Sequence, residues 1–545
     1  VTGTALLAAV LPWWPIVDAL PWGADATKWV ARAALDGDWF GWTFAHKHFV
    51  GYRPVTALSF VANHALTGHL PLGYRLTDVG LHVAGVALLI ALARAWFPGS
   101  WAAPAAAAAV LLAHPAVEEV VPFPSRRSYL LATDLGLLGL LAHHAALRAG
   151  RERAALLFGA ATGGLALLAV TSNEVAYVFV PLIVLRTLSE RPRALAGVAG
   201  PTVAAAALAV GLRASVLGSV GGGYQKRYFA GVWNGTPAWI ELPDWQPARI
   251  AGALLRYLLT PNGPEGAGPL VASGAGRDAL VAVLGAWVLG VGLAAPLWRW
   301  RDEEARRRLL LFAWLAGSAA IVVLSQTWFW RQAFTPLFPL ALLAAAAISD
   351  LARERRPATG LAAAGVVLLL LASAPYGALG GMHVGPHEGA RRGTARVRQV
   401  EALGLSGPST AWLALAEREH TAQIVRFWLD RRAAGTGRRH RLVAALGPQA
   451  LPDRARARVT ADAAGVRHLA LSPGFRLADA DRFVGLLDRG RLRVDALWRR
   501  ARSARHGSWL AVGDASGSHA IALRPPADGV LFDGDDAERG PAEEP

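Results

Sequence analysis

The chain contains no cysteine in 545 residues. That excludes a disulfide framework, a thiolate nucleophile and any cysteine-ligated metal, and it leaves the redox compartment open. Lysine is nearly absent as well: Lys28, Lys47 and Lys226 are the only ones, and the rest of the 55 basic residues are arginine. The net charge of +16 is therefore an arginine charge. Over the first 360 or so residues those arginines cluster between apolar runs, which is the positive-inside pattern of a membrane protein and argues against a nucleic-acid face. The first apolar tract lacks a convincing small-residue cleavage site, so it is expected to stay in place as a first span. No internal repeat is found.

What is present is apolar sequence. Hydrophobic residues make up 54% of the chain and the mean hydropathy is +0.33. Repeated runs approach the roughly 20 residues that cross a bilayer as a helix. The fold class expected is mainly α: a polytopic helical membrane protein followed by a soluble α/β or α+β domain. Eleven spans are predicted, over residues 5–20, 76–96, 101–113, 130–147, 154–170, a sixth ending near Arg186, then 194–217, 280–297, 309–324, 334–348 and 361–374. Residues 250–259 are too short to cross and read as re-entrant or interfacial. The division is 1–376 in the membrane, with large outer loops at 21–75 and 218–278, then a domain over 377–527 and an acidic, disordered tail over 528–545. In the domain, HRLVAALG, VRHLALSPG, SWLAVGD and SHAIALRP have strand patterning, and TAQIVRFWLDRRA and DADRFVGLLDRG are helix-like.

Polar residues fall into knots at the span ends. The clearest is 114–129, HPAVEEVVPFPSRRSY, which sets His114, Glu118, Glu119, Arg126 and Arg127 between two apolar runs. If the arginine clusters are cytoplasmic, the amino terminus is inside. This knot, the first loop with Asp18, Asp25, His46 and His48, and the residues Glu174 and Arg331 then all lie on the opposite face. Carboxylates there suit general-base work toward a hydroxyl, and arginines suit a phosphate. A transporter would place more of its ionisable groups mid-membrane. The amphipathic stretch from Tyr52, started by Pro54, suits a helix in the interface. His46 and His48 with Asp25 form a weak candidate for a divalent metal.

The order of motifs resembles the membrane-embedded C-type glycosyltransferases, specifically the transmembrane O-mannosyltransferase group and its bacterial relatives. Tyr52, Arg53, Pro54, Leu58, Ser59, Phe60, Asn63, Gly73, Tyr74 and His82 match one block. His114, Pro115, Glu119, Ser125 and Arg127 match the next, Ser172, Asn173 and Glu174 a third, and Arg331 with Pro336 a fourth. The sequence departs from the family in having separated first-loop acids, Asn173 where a lysine is usual, and no carboxyl-terminal tetratricopeptide repeats.

The resemblance implies inverting transfer of a sugar from a polyprenyl-phosphate donor to an acceptor hydroxyl of a protein, lipid or glycan. Asp25 or Asp18 would be the base and Glu119 would orient the acceptor. Arg127, Arg331 and Arg126 would bind the donor phosphate, with Glu174, His114, Tyr52 and Arg53 as further site candidates. A transporter of a lipid-linked sugar and a non-catalytic membrane scaffold are the alternative readings. The arginine- and alanine-rich composition suggests a bacterial inner membrane with the site in the periplasm.

Overall fold

A computed structural model describes residues 2–20, 24–33, 39–46, 48, 51–218, 251, 254, 257–258, 302–324, 330–354 and 394. It also describes the strand residues 411–416, 441–446, 457–461, 467–471, 476–479, 508–509, 512–514, 517–519 and 530–532. The chain falls into two compact units, Val1–Asp18 with Arg32–His387, and Ala19–Ala31 with Glu388–Pro545.

The first unit is helical, and prolines set many of its boundaries. α1 (Thr2–Val10) passes into a 3-10 turn over Leu11–Ile16, where Pro12 and Pro15 break the ladder, so the first predicted span is a short helix plus a turn. The first loop supplies α2 (Ala24–Ala33), most of which belongs to the second unit, and α3 (Trp39–Ala45). α4 (Pro54–Thr67) and α5 (Pro71–Trp96) both begin with proline in the first turn, where the missing N–H costs nothing. α5 therefore starts five residues before the predicted span and draws Arg75 and Asp78 into the protein. α6 (Ala102–Ala113), α7 (Arg127–Arg148), α8 (Glu152–Val170), α9 (Phe179–Glu190) and α10 (Gly200–Leu217) follow, then α11 (Glu303–Leu324) and α12 (Phe334–Glu354).

Among the described residues six helical stretches are long and apolar enough to cross a membrane: Pro71–Trp96, Pro124–Arg148, Glu152–Val170, Pro192–Leu217, Ala305–Leu324 and Arg331–Asp350. The stretches Thr2–Ile16 and Ala102–Ala113 are apolar but shorter. The predicted spans 280–297 and 361–374 lie outside the described residues. α5 packs on α6 and α7, α7 on α8, α8 on α10, and α12 on α6 and α11. Trp96, Trp314, Phe179, Phe334 and Phe338 fill the interior, with Phe179 and Trp314 5.3 Å apart between ring centres.

In the second unit, β1 (Ala411–Ala416) pairs parallel with β2 (Arg441–Leu446), which pairs antiparallel with β5 (Arg476–Asp479). β6 (Ser508–Trp509), β4 (Arg467–Leu471), β3 (Ala457–Ala461) and β9 (Val530–Phe532) form a four-stranded sheet in that order, and β7 (Val512–Asp514) with β8 (Gly517–His519) forms a hairpin. β9 lies within the acidic stretch read as a disordered tail. The helix-like segments at 421–433 and 479–490 lie outside the described residues, except for Asp479, which ends β5.

Candidate functional site

The 114–129 knot folds as two 3-10 turns between α6 and α7. Pro115 ends α6, because the residue before a proline is pushed out of the helical region, and His114 is extended. The His114 Nδ1 accepts a hydrogen bond from the Ala116 N–H at 3.1 Å and starts the turn Pro115–Val117. Val117, Val120 and Val121 are buried and anchor the segment. Glu118 and Glu119 are held between those anchors and differ in fate. Glu119 stays partly accessible and accepts a 2.7 Å ion pair from Arg126 Nη1, while Arg126 also rests 4.1 Å from the centre of the Phe123 ring. Glu118 is buried, and that burial, with the Glu119 charge beside it, pushes its carboxyl up to about 9. Burial lowers His114 to about 4, so it is neutral near pH 7.

Two distant segments close on this knot. The turn Trp330–Ala333, which carries half-buried Arg331, packs against Pro115–Val117, and Arg331 lies within electrostatic range of Arg126. Tyr257 sits edge-on to the His114 ring at 5.5 Å and feels the charges of Glu119, Glu118 and Arg126. Glu118 and Tyr257 are additions to the sequence reading. Glu118 was visible as one half of an acid pair, whereas nothing marked Tyr257.

Beside the knot lies a second cluster. Asn173 donates to Ser128 Oγ at 2.9 Å and caps the next turn by accepting from Val175 N–H, while Thr56 Oγ1 donates to the Ser172 carbonyl at 3.0 Å. These bonds tie the segment 172–174 both to α7 and to α4. Glu174 then receives two arginines. Arg53 Nη2 reaches Oε2 at 2.9 Å and Arg213 Nη1 reaches Oε1 at 2.6 Å. Burial works against its charge, but Arg53 and Arg213 overcome that and hold the carboxyl at about 2. Gly51 is needed here, since a Cβ at that position would lie 2.6 Å from Glu174 Oε1. Arg213, on α10, escaped the sequence reading, although a lone arginine in an apolar span is itself a signal.

The remaining candidates are placed differently. Arg127 is fully buried: its Nε pairs with Asp78 at 2.5 Å, its Nη2 donates to the Tyr74 carbonyl at 3.2 Å, and its guanidinium lies 4.3 Å from the Phe60 ring centre. The expectation that it grips a phosphate gives way to a structural one, because its hydrogen bonds close inside the protein. Tyr52 is likewise internal, donating to the Phe44 carbonyl at 3.1 Å. His48 has both ring nitrogens engaged, with Nδ1 accepting from Arg53 N–H at 3.1 Å and Nε2 on the Trp42 carbonyl at 3.0 Å, so no lone pair is left for a metal. Burial, with the Arg53 charge helping, lowers it to about 4. His46 turns instead to the Gly41 carbonyl at 2.8 Å. The two histidines do not fit a shared metal site, and among the described residues no three metal-ligating side chains gather. Asp18 is exposed just after the first 3-10 turn. Asp25 is on α2, whose residues up to Ala31 belong to the second unit, and its side chain lies outside the described residues.

No family model and no curated protein matches this chain. Among solved structures it is similar to ArnT from Cupriavidus metallidurans, at 14% identity and a TM-score of 0.44 for the apo state, covering 82% of this chain and 92% of that one. The same protein bound to undecaprenyl phosphate gives 16% identity and 0.43 over the same shares. The oligosaccharyltransferase AglB from Archaeoglobus fulgidus, in complex with an inhibitory peptide and a dolichol-phosphate, gives 12% and 0.40 over 87% of this chain and 74% of that one. In motif order the chain resembles the membrane-embedded C-type glycosyltransferases. An accessible carboxylate and two cations at the ends of membrane helices suit the binding of a phosphate-bearing ligand at a bilayer edge.

Proposed function

We propose that the protein is an integral membrane glycosyltransferase that moves a sugar from a polyprenyl-phosphate carrier to an acceptor hydroxyl on the periplasmic face of a bacterial inner membrane. The observation that carries this reading is the convergence of Glu119 and Arg126 with Arg331, from segments about two hundred residues apart, at the ends of apolar helices.

In the reaction proposed, the acceptor oxygen attacks the anomeric carbon on the face opposite the phosphate. The bond from that carbon to the phosphate oxygen breaks, its electron pair stays on the phosphate, and the acceptor proton passes to a carboxylate. Arg126 and Arg331 hold the phosphate as it gains charge, the moment at which guanidinium donors help most. Glu119, ion-paired with Arg126, serves to position that arginine and the acceptor. The base is a first-loop carboxylate, Asp25 or Asp18, carried over from the resemblance.

The test is transfer by purified protein in lipid, with radiolabelled polyprenyl-phosphate sugars as donors and a membrane extract as acceptor. Wild type is expected to release label from the lipid. One of Asp25→Asn and Asp18→Asn should abolish release while leaving folding intact, and Arg126→Ala should lower it by about a hundredfold or more. No release with any donor from folded protein would overturn the reading in favour of a lipid-linked sugar transporter or a scaffold.

A further inference from the structure

Four helices meet at the ends that lie away from the 114–129 knot. α5 brings Trp96, α7 brings His143, His144 and Arg148, α9 brings Arg186, Thr187 and Glu190, and α11 brings Glu303, Arg306 and Arg307. Arg186 is at the centre of the group. Its Nε donates to Glu190 at 2.8 Å, its Nη2 donates to His144 Nδ1 at 2.8 Å, and its guanidinium lies 5.0 Å from the Trp96 ring centre. Arg307 donates to the Trp96 carbonyl at 2.6 Å and pairs with Glu303, which Arg148 also reaches at 3.1 Å. Arg148 and Arg307 both lie within electrostatic range of Arg186 and of His144.

Two features point to a ligand. The first is that donors are left over in the interior. Arg186 Nη1 and Arg306 Nε are enclosed without a hydrogen-bond partner among the described residues, although Arg306 Nη1 donates to the Ser189 carbonyl at 2.9 Å. A buried guanidinium N–H without an acceptor is costly, so these donors call for an oxygen from outside the chain. The second is a path to them. The side chain of Arg148 is 57% exposed, that of Arg307 14% and that of Arg186 2%, so the three arginines lead inward from the surface. They are held by two carboxylates, Glu303 and Glu190, and a guanidinium fork matches phosphate oxygens in geometry and charge.

The surroundings indicate where the phosphate comes from. Trp96, Arg148 and Ala305 end three of the stretches long and apolar enough to cross a membrane, so the group sits at a bilayer edge. On α9, Leu185 and Leu188 flank Arg186 in the chain and keep nearly half of their surface exposed. A soluble phosphoester has no use for these leucines, whereas an acyl chain does, and basic pockets between membrane helices suit anionic headgroups.

We propose that Arg148, Arg186 and Arg307 form a headgroup site for an anionic phospholipid, with its phosphate between α7, α9 and α11 and an acyl chain along Leu185 and Leu188. The site requires the chain to lie in a membrane and does not rest on the sugar-transfer reading.

Thermal unfolding of the full chain in non-ionic detergent tests it, titrating dioctanoyl phosphatidylglycerol, dioctanoyl phosphatidylcholine or inorganic phosphate at ionic strength matched with sodium chloride. Phosphatidylglycerol should raise the melting temperature saturably, and the other two should give only a small fraction of that rise. Arg148→Ala and Arg307→Ala should each raise the half-saturating concentration about tenfold, the loss of one charge-assisted contact, and Arg186→Gln should lose the response. Arg193→Ala removes an exposed arginine outside the group and should bind as wild type does. If Arg186→Gln does not fold, the exposed Arg148 still decides the matter, since its substitution leaves the interior intact. The proposal is overturned if wild type shows no saturable response, or if Arg148→Ala and Arg307→Ala both keep wild-type affinity. A response to phosphatidylcholine equal to that for phosphatidylglycerol overturns it in favour of unspecific lipid uptake, and an equal response to inorganic phosphate overturns it in favour of a soluble phosphoester. Weakening by Arg193→Ala as large as that by Arg148→Ala overturns it in favour of diffuse surface charge. None of these results bears on release of label from a sugar donor, so the transfer reading stands or falls separately.

Discussion

Arg126 and Arg127 are neighbours in the chain with opposite surroundings. Arg126 ends a 3-10 turn and pairs with a partly exposed carboxylate, while Arg127 opens α7 and is enclosed with Asp78. Successive residues on a helical backbone point about 100° apart, so one of the two had to face inward. Motif order located the pair without saying which. Arg127→Ala should therefore act on folding, lowering stability by about 3–5 kcal/mol because it removes the hydrogen-bonded partner of a buried carboxylate. Unfolding of detergent-solubilised variants would check this, and a stable Arg127→Ala protein lacking only activity would contradict it. Glu118 supplies a pH prediction. Its folded value of about 9 lies above the ordinary 4.5, so its contribution to stability is present below 4.5 and is lost as pH rises toward 9. The melting temperature of Glu118→Gln relative to wild type should thus climb between pH 5 and pH 8. His48, whose contribution is lost as pH falls from 6.5 toward 4, is common to both proteins and cancels in the difference.

At the scale of elements, hydropathy and proline together make most helices legible. The prolines at 54, 71 and 124 mark starts, and Pro115 marks an end. What hydropathy does not convey is which faces meet. α8 contains Gly159 and Gly163 four residues apart, and the structure puts them against the segment leading into α10 and its first turn: a Cβ on Gly159 would collide with the Gly197 carbonyl, and one on Gly163 would lie 2.8 Å from Pro201 backbone atoms. This small-residue spacing lets two helices approach backbone to backbone inside a membrane, and it was present in the sequence as a readable signal that apolar counting passed over. Gly163→Val should force α10 away and cost about 1–3 kcal/mol, as overpacking does. Gly164→Val, one residue on, meets open space and is the control. Equal melting temperatures for the two variants would remove the close-packing account. The Glu174 cluster was harder to foresee than any helix, since its three members lie 121 and 39 residues apart and only the fold brings them together.

Over the whole first unit, charge is sorted toward two ends. Arg148 pairs with Glu303, Arg191 donates to the Ala149 carbonyl, Arg306 to the Ser189 carbonyl, Arg307 to the Trp96 carbonyl, and Arg308 pairs with Asp350. These contacts gather the arginine-rich connections of α5, α7, α8, α9, α11 and α12 at one end. The knot at 114–129, the segment 172–174 and the turn with Arg331 are gathered at the other ends of the same helices. That is the segregation anticipated from arginine placement alone, because each apolar helix carries the chain from one group to the other. The missing cysteine makes the sidedness directly measurable, since any cysteine introduced is unique. Arg151→Cys and Ser215→Cys sit on exposed positions next to the two groups. In intact inner-membrane vesicles of known orientation, a membrane-impermeant maleimide should label one of them from outside and the other only after permeabilisation. With arginine clusters held in the cytoplasm, Arg151→Cys is the position labelled in inside-out vesicles and Ser215→Cys the one labelled in right-side-out spheroplasts. Labelling of both from the same side would place an even number of crossings between residues 151 and 215. The three helices α8, α9 and α10 would then have to cross in some other count, and Glu174 and Arg213 would no longer share a face with the proposed donor site.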